Sequence, residues 1–391
     1  MKSVTIKDLE FLEKELITLR HDLHQYPELG FAEKKTSQKI AEELRNSGLE
    51  VHTGIGKTGV VGVLNRGRKK TSVMMRADMD ALPINEKNSL KHKSKNKGIM
   101  HACGHDGHIT MLLGGAKYLA KNDCFDGVAY FVFQPNEENG LGAQAMLDDG
   151  LLEKFPADEI YGIHNLPGSP LGEFSTRVGD ICSSESLFEI KIIGKGGHSS
   201  MPQIGVDTII VGSELVLSLQ TVISRKLPPG TDAVLSITEF ITDGSRNVLP
   251  GETILLGDIR TRNQEVLSEI KRSVDKICKG IAIAHNVKIS VKIWTEFIET
   301  INAEGPCKIA MNVSKGIGMK TIPNRLPMSF SEDFAHFAKV RPSCFILMGN
   351  GFDGPHGQPL HSSDYDFNDK SLIIGSCFWA RLVCERLPKF N

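Results

Sequence analysis

Residues 72–134 read SVMMRADMDALPINEKNSLKHKSKNKGIMHACGHDGHITMLLGGAKYLAKNDCFDGVAYFVFQ. The stretch opens with an apolar strand, SVMMRADMD (72–80), and closes with another, VAYFVFQ (128–134). Between them ITMLLGGAKYLAKN (109–122) is long and apolar at helical spacing. A strand, a helix and a strand in that order make a parallel pair, because a parallel connection needs a crossover of this length. The pattern then repeats. GAQAMLDDGLL (142–152) reads as helix and EIYGIHN (159–165) as strand. Buried on both faces, such strands run apolar end to end rather than alternating.

N-terminal to this run, Leu9, Leu12, Leu16, Leu19 and Leu23 predict an amphipathic helix over 7–24. A second helix is expected from Thr36 to Asn46, stopping near Gly48. LEVHT (49–53) and VVGVL (60–64) are strands, and GIGKTG (54–59) between them literally matches a nucleotide-binding glycine pattern. A strand follows it, not a helix whose N-terminus could face a phosphate, so a tight hairpin is the better account.

From about Glu185 the rhythm changes. SLFEIKIIG, a helix over 206–224, AVLSITEFIT, ETILLGDIRT, a helix over 264–285 and VKISVKIW follow in the order β-α-β-β-α-β of a ferredoxin-like unit. A helix at 304–316, strand CFILMGN (344–350) and a helix at 369–386 then resume the α/β pattern. The expectation is a mainly parallel mixed sheet flanked by helices, built from 1–183 and 297–391, with an inserted lobe at 184–296.

The chain has 391 residues, which is long for one core, and a net charge of −1. That balance gives no electrostatic case for nucleic acid or an anionic membrane as partner. No stretch approaches the length of a membrane span, and the charged N-terminus lacks the apolar centre of a signal peptide. Eight scattered cysteines without a CxxC pair fit reduced thiols, hence a cytoplasmic setting.

The chemistry concentrates in His101-Ala102-Cys103-Gly104-His105-Asp106-Gly107-His108. Five of these eight positions can ligate a metal or support a ligand, and no packing need calls for that density. Residues i and i+2 of an extended segment face one way, so Cys103 and His105 can address one ion. Thiolate with imidazole favours zinc, although manganese, cobalt or nickel can use the same donors. His101 and His108, taken singly, fit structural or supporting roles better than ligation. Glu137 and Glu138 follow strand 128–134. An adjacent pair of carboxylates there calls for a cation or a proton between them, so one can ligate while the other acts as general base. His164 ends strand 159–165, His361 lies in a loop before the last helix, and Asp78 and Asp80 end strand 72–80. Apart from His361, these candidates sit at C-terminal strand ends, the edge where open parallel sheets bind ligands. Asp78 and Asp80 read as carboxylates that orient a ligand histidine or support the metal-bound water. In the lobe, His198 lies in a glycine-rich turn, Asn247 in RNVLP and Arg260 at a strand end, where it could pair bidentately with a carboxylate.

RHDLHQYPELGFAE (20–33), MRADMDALP (75–83), HACGHDGH (101–108), FQPNEENGLGA (133–143), GIHN (162–165), GKGGHSSMP (194–202) and LHSSDYDFND (360–369) occur in this order. Together they resemble the M20 metallopeptidases, in particular their amidohydrolase subfamily, over nearly the whole chain. The resemblance implies a zinc-exopeptidase-like fold with a dimerisation and lid domain, and a homodimer formed through that domain. It implies two divalent ions held by Cys103, His105, Glu138, His164 and His361, with Glu137 as general acid and base. It further implies that His198 reaches the neighbouring subunit's site and that Asn247 and Arg260 hold a substrate carboxylate. The implied reaction is hydrolysis of an N-acyl amino acid. A dipeptidase or an N-acetyl-diaminopimelate deacetylase is the alternative within the family, and a silent metal-binding protein the alternative outside catalysis. Asn136 departs from the subfamily's usual QPAEE, leaving both glutamates in register.

Overall fold

The computed structural model describes residues 3–389. The chain divides into two compact units, one of residues 1–181, 300–327 and 332–391, the other of 182–299 and 328–331. Residues 328–331 join the second unit through Ser183, whose amide and hydroxyl donate to the carbonyls of Phe330 and Met328, both at 3.1 Å.

The first unit is built on an eight-stranded mixed sheet. β1 (Glu50–Ile55), β2 (Gly59–Arg66), β3 (Ser72–Asp78), β4 (Gly127–Gln134) and β5 (Glu159–Pro167) stand in the order β1-β2-β4-β3-β5. Strand Ser343–Gly351 and the two-residue strands Phe174–Ser175 and Thr321–Ile322 complete it. β3 runs parallel to β4 and β5, and β5 parallel to Ser343–Gly351. β1 and β2 form the expected antiparallel hairpin, with Ile55 opposite Gly59. All residues of β3 and of Ser343–Gly351 are buried, as a sheet covered on both faces requires.

Helices α2 (Lys34–Asn46) and α3 (His105–Lys121) and the final helix, Lys370–Arg386, pack on this sheet, and α1 (Glu13–Gln25) packs on α3 and the final helix. Residues Ile6–Leu12, expected to open α1, form a separate 3-10 turn. Asp8 starts it, its amide donating to the Thr5 carbonyl at 3.0 Å while its carboxylate takes the Thr5 amide and hydroxyl. The helix expected over 142–152 is two, Gly142–Asp148 and Leu151–Lys154, parted by Gly150 at φ +78°. α3 is buried on every side from His105 to Leu119, so its N-terminal polar residues are carried into the interior by the helix that bears them.

The second unit carries strands Ser184–Ile193, Ala233–Thr242, Glu252–Thr261 and Lys288–Phe297 and helices Thr208–Thr221 and Gln264–His285. Its antiparallel sheet has the first and third strands adjacent at its centre, the ferredoxin-like arrangement. Helix Thr208–Thr221 continues as a π-turn to Lys226. This corrects the expectation that no stretch nears membrane-span length: Thr208–Lys226 has 19 residues and is long and apolar enough to cross a membrane by length and composition. Its apolarity serves two faces. Val211, Leu215, Leu219 and Val222 pack in the lobe core, while Ile209, Ile210 and Leu217 are exposed. All eight cysteines are free thiols.

Trp379, fully buried in the final helix, packs its β-carbon against Gly115 of α3. Trp379→Ala is expected to lower the stability of the first unit by about 3–5 kcal/mol in urea titration.

Candidate active site

The C-terminal edge of the parallel strands gathers the chemistry. β3 ends in Asp78, with Asp80 two residues on; β4 leads into Glu137 and Glu138; β5 bears His164; α3 begins at His105. The turn into α3 depends on Gly104, at φ +90°. A β-carbon there would overlap the Asn165 amide and lie 2.6 Å from the Tyr365 hydroxyl. Those two side chains hold the turn, since Asn165 Nδ2 donates to the Cys103 carbonyl at 2.6 Å and Tyr365 donates to Asn165 Oδ1 at 2.6 Å.

Ring hydrogen bonds orient the histidines. Nδ1 of His105 faces the Asp80 carbonyl at 2.9 Å and Nδ1 of His164 the Asn165 carbonyl at 2.7 Å. A carbonyl only accepts, so each Nδ1 carries its proton and, in the neutral ring, each Nε2 offers its lone pair to the site. Nε2 of His164 lies 3.3 Å from Cys103 Sγ. His108 is spent differently: Nδ1 faces Asp78 at 2.6 Å and Nε2 accepts the Asn165 amide at 3.0 Å. Both nitrogens of buried His101 lack a hydrogen-bond partner, and burial pushes its pKa down to about 4.

Donor atoms of Cys103, His105 and His164 lie within 4.8 Å of one another, and so do those of Cys103, Glu138 and His361. Cys103 is common to both sets. His361 is held at φ +64° by its amide's bond to the Ala102 carbonyl, 2.9 Å, with Nε2 3.3 Å from Glu138 Oε2. Nε2 of His105 and Oε1 of Glu138 are buried 3.8 Å apart, and neither has a hydrogen-bond partner. A buried imidazole nitrogen and a buried carboxylate oxygen left without partners in one pocket fit the coordination of a cation. The electrostatics agree. Burial lowers the His105 pKa, but Asp78, Asp80 and Glu138 outweigh it and lift it to about 10. Burial, then Glu138, Glu137 and Asp78, push the Cys103 thiol well above its usual value. The pocket is short of positive charge, and thiol, imidazole and carboxylate donors suit divalent transition ions.

On the other side of the EE turn stands a cluster the sequence reading did not single out. Arg76, fully buried, donates to Asp78 at 2.7 Å, Gln134 at 2.7 Å, Glu332 at 2.9 Å and Asp333 at 3.0 Å. Carboxylate oxygens of Glu137, Glu332 and Asp333 lie within 4.8 Å of one another. Burial, then Glu332, Glu138 and Asp333, hold the Glu137 carboxyl well above the usual range. An arginine in the middle of the apolar strand SVMMRAD signals such partners, since a buried guanidinium must be paired.

His198, Asn247 and Arg260 lie in the second unit. His198 is exposed, its Nδ1 accepting the Ser200 hydroxyl at 2.8 Å, and the Ser199 amide donates to the Asn247 carbonyl at 3.1 Å. Arg260 already pairs with Glu185 at 2.6 Å and Asp258 at 2.8 Å, and donates to Ser331 at 2.9 Å.

A family model described as peptidase family M20/M25/M40 matches residues 74–385. A hippurate hydrolase of Campylobacter jejuni is 38% identical over 384 residues, 98% of this chain and 99% of that one. An N-acetyl-L-cysteine deacetylase of Bacillus subtilis is 34% identical, over 95% of this chain and 88% of the relative. Among solved structures, a dinuclear metal binding peptidase of the M20 family from Bacillus subtilis superposes with a TM-score of 0.84 at 29% identity, over 97% of this chain and 99% of that one.

The donor geometry generates a direct test. Cys103→Ala, common to both sets, is expected to lose most bound divalent ion by elemental analysis with an unchanged circular dichroism spectrum. Full occupancy in that variant removes Cys103 from the ligands.

Proposed function

The chain belongs to peptidase family M20/M25/M40 and is a hydrolase, and we propose that it cleaves the amide bond of N-acyl-L-amino acids, releasing a carboxylic acid and a free amino acid. Hippurate-like and N-acetyl substrates head the class, in line with the names of the relatives. The observation that carries the reading is the proton-seeking Glu137 set beside donor sets that share Cys103.

Cys103, His105, Glu138, His164 and His361 would hold two divalent ions, zinc first by donor chemistry. Such ions, when bound, polarise the amide carbonyl and acidify a water. Glu137 takes the proton of the attacking water and returns it to the departing nitrogen, a task that a carboxylate of raised pKa performs near neutral pH. Asp80 and Asp78 hold the rings of His105 and His108. Arg260 and Asn247 are assigned to the substrate carboxylate, and His198 to the developing oxyanion in a partner subunit's site, on the family resemblance. The exposed Ile209, Ile210 and Leu217 support a homodimer through the lobe. The eight free thiols support a reducing, cytoplasmic setting.

A second reading, a substrate with a basic group as in N-acetyl-diaminopimelate, draws on the two carboxylates that flank Arg260. Protein stripped with chelator and reloaded with zinc or manganese is expected to cleave N-benzoylglycine or N-acetyl-amino acids. Preference for the basic substrate selects the second reading, and no cleavage of any amide rejects both. Glu137→Gln should keep its metal and lose turnover by at least about 10²-fold; near wild-type turnover would exclude Glu137 as the base.

A further inference from the structure

Three successive amides carry the EE turn, and two buried carboxylates receive them. The amides of Glu137 and Glu138 donate to Asp80 Oδ1 at 3.0 Å and Oδ2 at 3.1 Å. The amide of Asn136 donates to Glu33 Oε1 at 2.9 Å. Glu33 is fully buried, and its other oxygen accepts the Thr58 hydroxyl at 2.6 Å. One carboxylate thus joins the segment before α2, the tip of the β1–β2 hairpin and the loop after β4.

Asn136 sits at φ +50°, the left-handed conformation that asparagine tolerates and alanine resists. The reversal turns consecutive N–H groups inward, the arrangement that lets backbone bind an anion. Its side chain is buried and accepts from Asn139 Nδ2 at 2.5 Å. It lies directly over Gly30: a β-carbon there would overlap Asn136 Oδ1 and Cγ and stand 2.9 Å from its Cβ. Gly30 is not held in the left-handed region, so the neighbour, not the backbone, forbids a side chain. The turn is closed by the Gly142 amide to the Asn136 carbonyl at 3.1 Å and the Gly140 amide to the Glu137 carbonyl at 2.7 Å.

We propose that Glu33, with Gly30 and Asn136 seated against each other beside it, is the positioning residue of this site, fixing the backbone from which Glu137 and Glu138 project. The inference rests on the reading of Glu137 as general base. Glu33 acts as a double acceptor, so its geometry matters more than its charge. A glutamine keeps that geometry, its carbonyl accepting the Asn136 amide and its amide donating to Thr58. An alanine leaves the Asn136 N–H buried and unpaired.

The experiment compares E33A, E33Q, G30A and G30A/N136G with the wild-type protein. It reads hydrogen exchange of the peptide spanning 134–142, metal content, and steady-state kinetics of the reloaded enzyme. E33A should speed exchange of the 136–138 amides at least tenfold and lower kcat by roughly 10²-fold with KM little changed, the size of effect a displaced catalytic group produces. E33Q should recover most of both losses. G30A should reproduce the E33A pattern, and G30A/N136G should reverse it, because glycine at 136 suits the positive φ and removes the overlap. E33Q falling as far as E33A, unchanged exchange in E33A, or a double variant no better than G30A would each overturn the proposal. Exchange needs no substrate, so a wild-type protein that cleaves nothing sinks the catalytic reading while the clasp is still judged.

Discussion

The site is organised around the hydrogen bonds of Asp80. Its carbonyl takes the Nδ1 proton of His105, and its carboxylate takes the amides of Glu137 and Glu138. A single residue, two positions past the end of β3, therefore sets the ring on the first turn of α3 and the backbone of the loop after β4. All of these groups are buried or nearly so, and an unpaired donor there would cost about 1–3 kcal/mol each. The sheet brings the three segments to one edge, and Asp80 turns that proximity into orientation. On the proposed reading, a ligand ring held by its far nitrogen and a base held by its own backbone amide are both preorganised without touching the reacting atoms.

Much of the buried charge is tolerable because it has an opposite within reach. Arg76 answers Asp78, Glu332 and Asp333. Farther back, Arg20 pairs with Asp106 at 3.2 Å, Asp366 at 2.8 Å and Asp369 at 2.6 Å. Asp106 also takes His24 at 2.8 Å; burial would lower the His24 pKa, but Asp106 and Glu86 carry it to about 9. Asp106 is moreover at the N-terminus of α3, where the helix dipole favours a carboxylate. The ligand pocket is the exception, since its carboxylates and thiol find only imidazole among the described residues near them. The deficit is local to these donors, and a cation held among them would offset it.

Much of this was legible in the residues. The strand–helix–strand run fixes a parallel sheet, and the change of rhythm near Glu185 marks the lobe. The density of donors in HACGHDGH and the adjacency of Glu137 and Glu138 point to the same edge. What escaped reading is nonlocal or short. Arg76 demanded acidic partners, but Glu332 lies 256 positions away and nothing in SEDF announces it. Phe174–Ser175 and Thr321–Ile322 are two residues each, too short for a period. Thr208–Lys226 hides a span-like apolarity behind the needs of a two-faced helix. Asn136 was visible as an unusual residue, yet its reason is a dihedral angle, and a dihedral leaves no trace in composition.

Adjacent carboxylates normally share a fate, and Glu137 and Glu138 do not. Burial acts on both to raise the pKa. Around Glu138 the rings of His361 and His105 win, and its carboxyl is held below the ordinary value. Around Glu137 the neighbours are Glu332, Glu138 and Asp333, and Arg76, shared among several acids, does not compensate. The same pocket thus contains one carboxylate held ionised and another disposed to hold a proton. Two environments that push like groups apart are how acid–base roles are assigned at one pH. The separation comes from direction, because one side chain leaves the turn toward imidazoles and the other toward acids. Backbone geometry at residues 136–138 is therefore as much a part of the chemistry as the glutamates themselves.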